Sequence, residues 1–261
     1  MQILLMILAA TAACCVVMVF VWLWQKRISN AGVVDVFWSY NFPLIAVIYF
    51  LMGDGLTERR LLIAAMVLIW GMRLALYLHV RVLGHINDED GRYKQLRIDW
   101  APNFQTKIFW FFQMQAVSNV FLSIPFLLAS INTSAQLHPL EYAGAAIWLL
   151  AIIGEGIADR QLQKFKSDKS NKGKACDVGL WGWSRHPNYF FEWCIWIGYF
   201  VFACASPWGW ISIVCPAIIL YLLLRVTGIP MNEEQNLRSK PEAYKAYQQR
   251  VSKFIPLPPK S

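Results

Sequence analysis

An all-α, polytopic membrane protein is the fold class this sequence predicts, and three observations carry it. Of 261 residues, 57% are hydrophobic and only 15% are charged, where soluble domains usually carry about 25% charge. Mean hydropathy is +0.40. The apolar residues also come in long runs, seven of them close to the roughly 20 residues a helix needs to cross a hydrocarbon core of about 30 Å. This mix excludes disorder, a disulfide scaffold and an ordinary soluble enzyme. The runs lack the alternation of barrel strands, and backbone groups cannot stay unpaired in lipid, so the spans are helices.

The seven spans fall at about 3–24, 32–52, 61–83, 108–130, 140–158, 189–205 and 207–226. The first carries no charge, and Met1-Gln2 ahead of it offers no basic leader, so it reads as a retained helix rather than a cleaved signal. The second holds Asp35, and the third holds Arg73 and Arg81. Almost nothing separates the sixth and seventh, which predicts a tight helical hairpin. Residues 229–261 follow as an amphipathic tail against the inner face. No internal repeat or soluble second domain interrupts this plan, so residues 1–261 read as one integral membrane domain.

Charge decides the sides. Connections one, three and five and the tail hold twenty Lys and Arg, counting Arg225 at the end of the last span with the tail. The other three connections hold two, Arg59 and Arg60. The positive-inside rule then places the N-terminus outside and the C-terminus inside. The net charge of +8 therefore gathers on one face, where it suits anionic headgroups or an anionic ligand. Nothing in it suggests a nucleic-acid module. The six Cys and four His (79, 85, 138 and 186) show no metal spacing, so no metal site and no disulfide is expected.

Ionisable groups inside a span cost about 2.5–3.5 kcal/mol each and usually face a polar cavity. Arg73, Tyr77 and Arg81 recur every four residues and share a helix face, with Trp70 near the same stripe. Asp35 is either an ion-pair partner for Arg73 or a proton-handling acid. Glu155 and Asp159 end the fifth span and open into the most basic loop. Richest of all is 179–192, which runs through Arg185, His186, Asn188 and Tyr189 into a membrane helix bearing Glu192. Asn188, Glu192 and Trp196 are one turn apart. Basic and amide groups at a helix start suit phosphate or carboxylate, and Tyr and Trp offer faces to a flat or cationic ring.

At these residues the chain resembles a known superfamily. The segment Ser184-Arg-His-Pro-Asn-Tyr189, the acid three residues on, and a tail with Glu233-Glu234, Tyr244, Tyr247 and Arg250 look like two related groups. One is the steroid 5α-reductase and enoyl reductase group, which binds NADPH; the other is the isoprenylcysteine carboxyl methyltransferase group, which binds S-adenosylmethionine. Val33-Val-Asp-Val-Phe-Trp38, the stretch 70–81 and Asp88-Glu-Asp-Gly-Arg-Tyr93 look like the bacterial domain family DUF1295, grouped with the reductases. Carried over by position, the resemblance implies that Arg73, Tyr77 and Asp159 reach the cofactor. It likewise places Asn188 and Glu192 in the nucleotide pocket, with Trp196 near the nicotinamide. Arg92, Tyr93, Arg185, His186, Tyr189 and Arg250 join the cofactor set by loop position.

Two departures stand out. Steroid-reducing relatives use a Glu before Leu-Pro on the second span and a Tyr on the third. This chain aligns Asn41 before Phe42-Pro43, and Trp70 in place of the Tyr. The resemblance therefore implies cofactor binding without implying steroid reduction, and it leaves Asp35, Tyr40 and Glu192 as candidates for the acid that polarises or protonates substrate. The expectation is an NADPH-dependent reductase of a carbon–carbon double bond in a lipid from the bilayer, with the diphosphate against the basic inner loops. An S-adenosylmethionine-dependent lipid methyltransferase is the alternative, and a non-enzymatic lipid-binding or transport protein the third reading. The expected setting is a bacterial inner membrane with the cofactor site facing the cytoplasm. The substrate's identity and the oligomeric state leave no trace in the sequence.

Overall fold

The computed structural model describes residues 1–84 and 86–260, and His85 lies outside the described residues. Among these the chain is helical with no strand; an isolated parallel bridge joins Ser184 and Ser252. Five helices are long and apolar enough to cross a membrane, or six if one bent pair makes a single span. This is an all-α protein with several membrane-spanning helices. It divides into two compact units, Met1–Leu137 with Ser206–Gly209, and His138–Ala205 with Trp210–Ser261.

The first unit contains α1 (Gln2–Ile28), α2 (Val33–Met52), α3 (Thr57–Leu83), α4 (Gly91–Asp99), α5 (Phe104–Leu122) and α6 (Ile124–Ser130). Helix α1 buries one stripe, Met6, Ala10, Cys14, Met18, Val21 and Gln25, at the three- and four-residue spacing of a single helical face. That stripe packs on α2 and α5, while Leu4, Leu8, Val16 and Phe20 stay exposed. Helices α2 and α3 approach most closely where Pro43 meets Gly71: a Cβ on Gly71 would stand 2.6 Å from Pro43 Cδ. Helices α5 and α6 are the bent pair, turned by 45°. Pro125 in the first turn of α6 explains the break, because proline has no N–H to give and its ring clashes with the preceding turn. At the N-terminal end of α3, Arg59 is fully buried. Its guanidinium donates to the carbonyls of Asn132 (2.7 Å), Ser134 (3.0 Å) and Gln136 (2.6 Å).

The second unit opens with α7 (Pro139–Ser167) and continues through α8 (Pro187–Ala203), α9 (Val214–Tyr221), α10 (Ile229–Ser239) and α11 (Pro241–Arg250). His138 starts α7 reciprocally: its Nδ1 accepts from the Leu140 N–H at 3.2 Å, and its own N–H donates to Glu141 at 2.6 Å. The helix runs nine residues past the apolar limit at 158, because 159–167 contains neither Gly nor Pro. Hydropathy marks where lipid ends, which is a different place from where the helix ends. Helices α7 and α8 touch backbone to backbone at Gly144 and Gly198, where a Cβ on Gly144 would lie 2.5 Å from the Phe202 nitrogen. The stretch expected to cross at 189–205 is α8, whose 17 residues leave it outside the five helices, or six with the bent pair, that are long and apolar enough to cross. The expected count of seven is therefore not reached among the described residues. Helix α9 passes through a π-helical turn at Leu222–Val226 before Gly228 and α10.

Candidate functional site

The candidate residues divide between the two units. In the first, the stripe on α3 runs outward from the core. Trp70 is fully buried with its ring 5.1 Å from that of Phe42, Arg73 is half-buried, and Tyr77 is 54% exposed. Arg81 lies exposed, 3.3 Å from Asp90. The bulky Trp70 is therefore a packing residue.

Asp35 stands in the first turn of α2, and its partner is Arg92, in place of the Arg73 that spacing on α3 suggested. Arg92 Nη2 donates to Asp35 Oδ2 at 2.8 Å and the Tyr93 hydroxyl donates to Oδ1 at 2.7 Å. Burial, with the negative charge of Asp35 beside it, lifts the Tyr93 hydroxyl well above its ordinary range. The phenol therefore stays protonated and keeps donating. Nearby, Glu89 accepts from the Ala31 N–H (2.7 Å) and pairs with Arg97 (2.9 Å), and Asn30 donates to the Ile86 carbonyl (2.9 Å). Segment 86–99 is thus stapled over the start of α2. Spacing along one helix could not show this, since the partners lie 57 and 58 residues apart. Tyr40 sits half-buried one turn deeper, its ring 6.5 Å from that of His79.

This geometry gives Asp35 a positioning role with a measurable signature. Replacing Asp35 by Asn weakens a charge-assisted pair and a buried phenol contact, so stability should fall by about 1–2 kcal/mol. That should appear as a drop of roughly 5 °C in the melting midpoint of the detergent-purified protein. A wild-type melting midpoint in Asp35→Asn would overturn this positioning role.

In the second unit the loop before α8 is locked to the tail. Arg185, 9% exposed, donates from Nε to Glu233 at 2.8 Å and from Nη1 to the carbonyls of Val251 (2.6 Å) and Gln248 (3.1 Å). Its backbone N–H reaches the Ser252 carbonyl at 2.8 Å. The Tyr247 hydroxyl donates to the Trp181 carbonyl at 2.5 Å, and Ser184 Oγ to the Phe254 carbonyl at 2.8 Å. Gly179 makes the turn upstream with φ +56°, and the Gln161 side chain presses against it while accepting from the Leu180 N–H at 2.9 Å. His186 is buried, 3.4 Å from Glu233, with its ring stacked on Tyr189 at 5.5 Å and 5°. Burial holds its imidazole below the ordinary value, against the opposing pull of Glu233, so it is neutral at pH 7.

Pro187 then opens α8, which carries Asn188, Glu192 and Trp196 at successive turns. Trp196 is fully buried, and its indole N–H donates to Glu192 Oε1 at 3.0 Å. The indole thus orients the carboxylate. Asn188, Tyr189 and Glu192 are half-buried, as is Asp159 on α7. Arg250 lies exposed at the end of α11, 3.4 Å from Asp177. A narrow cleft beside Arg185 is lined by Asn232, Asn236, Tyr244 and Tyr247. Glu233, which holds both Arg185 and His186, has the clearest role that sequence reasoning missed. Its signal was the Glu-Glu pair in the tail, but only folding selects which of the two turns inward; Glu234 pairs with Arg238 on the surface instead.

The arrangement defines a class, a polytopic helical membrane protein with a polar, tail-locked loop leading into an apolar helix. The chain belongs to the DUF1295 family, described as a protein of unknown function, whose model matches residues 21–251. It is also similar to an uncharacterized protein of Schizosaccharomyces pombe, C594.04c, at 27% identity over 271 residues, covering 89% of this chain and 74% of that protein. That relative is a yeast protein, so it lends no support to a bacterial setting. No solved structure matches the chain.

Proposed function

We propose that the chain is a membrane-embedded, NADPH-dependent reductase of a carbon–carbon double bond in a lipid or steroid-like substrate. The observation that carries this reading is the polar face of α8, where the Asn188 amide and the Glu192 carboxylate lie half-buried in an otherwise apolar helix. The buried Trp196 N–H holds the carboxylate at 3.0 Å. An acid kept in such surroundings is expensive and marks a functional polar site. The amide and acid suit a carboxamide, which needs an acceptor for its N–H and a donor for its carbonyl.

The donor set of the second unit fits the nucleotide in chemistry. Asn188 and Glu192 would hold the nicotinamide end. Tyr189, fixed by its stack on His186, offers a ring face, and Arg250 offers charge for the phosphates. Arg185 acts through position, since its guanidinium serves Glu233 and two carbonyls. NADPH, when bound, supplies the hydride. Of the acid candidates, Asp35 is committed to Arg92 and Tyr93, and Glu192 takes the Trp196 N–H. Asp35, Tyr40 and Glu192 stay the acid candidates of this reading. The membrane arrangement belongs to the same proposal: seven crossings, with α8 as the sixth in chain order, the N-terminus out, and the C-terminus and cofactor site in.

The test is parallel thermal stabilisation of the purified protein by NADPH, NADH and S-adenosylmethionine. At a hundredfold excess over its dissociation constant, the true cofactor should stabilise by about 2.7 kcal/mol. Selective stabilisation by NADPH that weakens in Asn188→Ala supports the reductase. A response to S-adenosylmethionine alone overturns it in favour of a methyltransferase. No response to any of the three on folded protein leaves a lipid-binding or transport protein.

A further inference from the structure

Beyond the candidate cofactor residues, the second unit holds a cleft of about 500 Å³ between the last turns of α7, segment 168–174 and the junction of α10 and α11. That volume lies within the range of small-molecule sites, roughly 300–1,000 Å³. Its lining includes Lys166, Lys169, Lys172, Lys174 and Lys240, with Asp168 the one acid among its described lining residues. Asp168 is turned to its own loop, where Oδ1 accepts from the Ser170 N–H at 2.9 Å. Five lysines therefore line one cleft, four of them exposed, with little internal neutralisation.

Lys240 is directed rather than splayed into water. It is half-buried between α10 and α11, and its Nζ donates to the Lys174 carbonyl at 3.1 Å, closing one side of the cleft. Burial, and next the charge of Lys166, lower its affinity for its proton. Like charges gathered in a concave place repel, and an anion with several acceptor oxygens relieves that repulsion. Leu162 and Phe165 lie among the lysines and give the cleft apolar wall. Asn188, Tyr189, Glu192 and Arg250 lie outside its lining, while Leu162, Lys166, Cys176 and Lys240 also line the narrower cleft beside Arg185.

We propose that the lysine cleft is a separate binding site for a phosphate ester, either the phosphodiester headgroup of an anionic lipid or a soluble phosphate compound. The ligand's oxygens would meet Lys166 and Lys240, with Lys169, Lys172 and Lys174 of the loop beside them. Because the cleft adjoins the one beside Arg185, competition by NADPH is what separates this site from the nucleotide of the reductase reading.

The test titrates the full-length protein in neutral detergent with phosphatidylglycerol and, separately, with inorganic pyrophosphate. Saturable binding should weaken roughly thirtyfold in Lys166→Gln/Lys240→Gln, as expected for two charges at a surface. The charge-matched pair Lys107→Gln/Lys253→Gln, outside the cleft, should bind as wild type. Saturation by the lipid alone identifies a headgroup; saturation by pyrophosphate, alone or in competition with the lipid, identifies the phosphate group itself. Should the first variant fail to fold, Lys169→Gln/Lys172→Gln on the exposed loop replaces it. No saturation with either probe, equal weakening in the charge-matched pair, or displacement of the bound probe by NADPH would each overturn the proposal.

Discussion

Arg59→Ala is expected to be among the most destabilising single changes in the first unit, at about 3–5 kcal/mol. The side chain is fully buried at the start of α3, and its guanidinium satisfies three carbonyls, those of Asn132, Ser134 and Gln136. Removing it strands those acceptors and empties the space they enclose. The melting midpoint of the detergent-purified protein should fall by about 10 °C. Arg59→Lys should recover only part of this, because an ammonium is a compact point charge and lacks the planar fork that spans three separated carbonyls. A melting midpoint within one degree of wild type in Arg59→Ala would refute the account. Sequence position alone assigned Arg59 to a short outer connection, with topology as its only role.

Gly144→Val is the second large expected effect, because it acts on backbone atoms that cannot yield. A Cβ at 144 would lie 2.5 Å from the Phe202 nitrogen, 2.7 Å from the Gly198 carbonyl oxygen and 2.8 Å from the Phe202 Cα. Helices α7 and α8 would have to separate, giving up the contact around Trp148 and Tyr199, whose side chains hydrogen-bond at 3.0 Å. Overpacking of this kind costs about 3 kcal/mol. On the proposed reductase reading, any stabilisation by NADPH should fall together with the melting midpoint, since α8 carries Asn188, Glu192 and Trp196. Gly156 on the same helix is the control: nothing lies within 4 Å of a Cβ there. Gly156→Ala should be neutral or gain up to about 1 kcal/mol from helix propensity. If both glycines behave alike, close backbone approach is the wrong explanation.

The candidate site was legible to different degrees along the chain. Asn188, Glu192 and Trp196 could be placed on one face from their spacing, because a helix has a fixed period and the contact between Glu192 and Trp196 is local. The Asp35 cluster could not be found this way. Its partners, Arg92 and Tyr93, come from another helix, whereas the sequence offers Arg73 on the neighbouring span as one candidate partner. Arg185 was read as a ligand group because it is basic and sits at a helix start, while folding brings Glu233 and the end of α11 against it. The lysine cleft was visible only as a count of basic residues in a loop.

Composition and the lengths of apolar runs suffice to establish an all-α membrane protein, because lipid admits few backbone solutions and each span must satisfy its own hydrogen bonds. Short motifs suffice for the DUF1295 family, whose model covers residues 21–251. Tertiary structure alone decides the helix ends and the bend of 45° before α6, where local propensity and Pro125 outweigh hydropathy. It likewise decides which charges are spent on the protein itself. Arg59, Asp35, Arg185 and Glu233 all look available in one dimension, yet each is bound by partners many residues away. A sequence shows the cost of a buried charge, and only the packed chain shows which group offsets it.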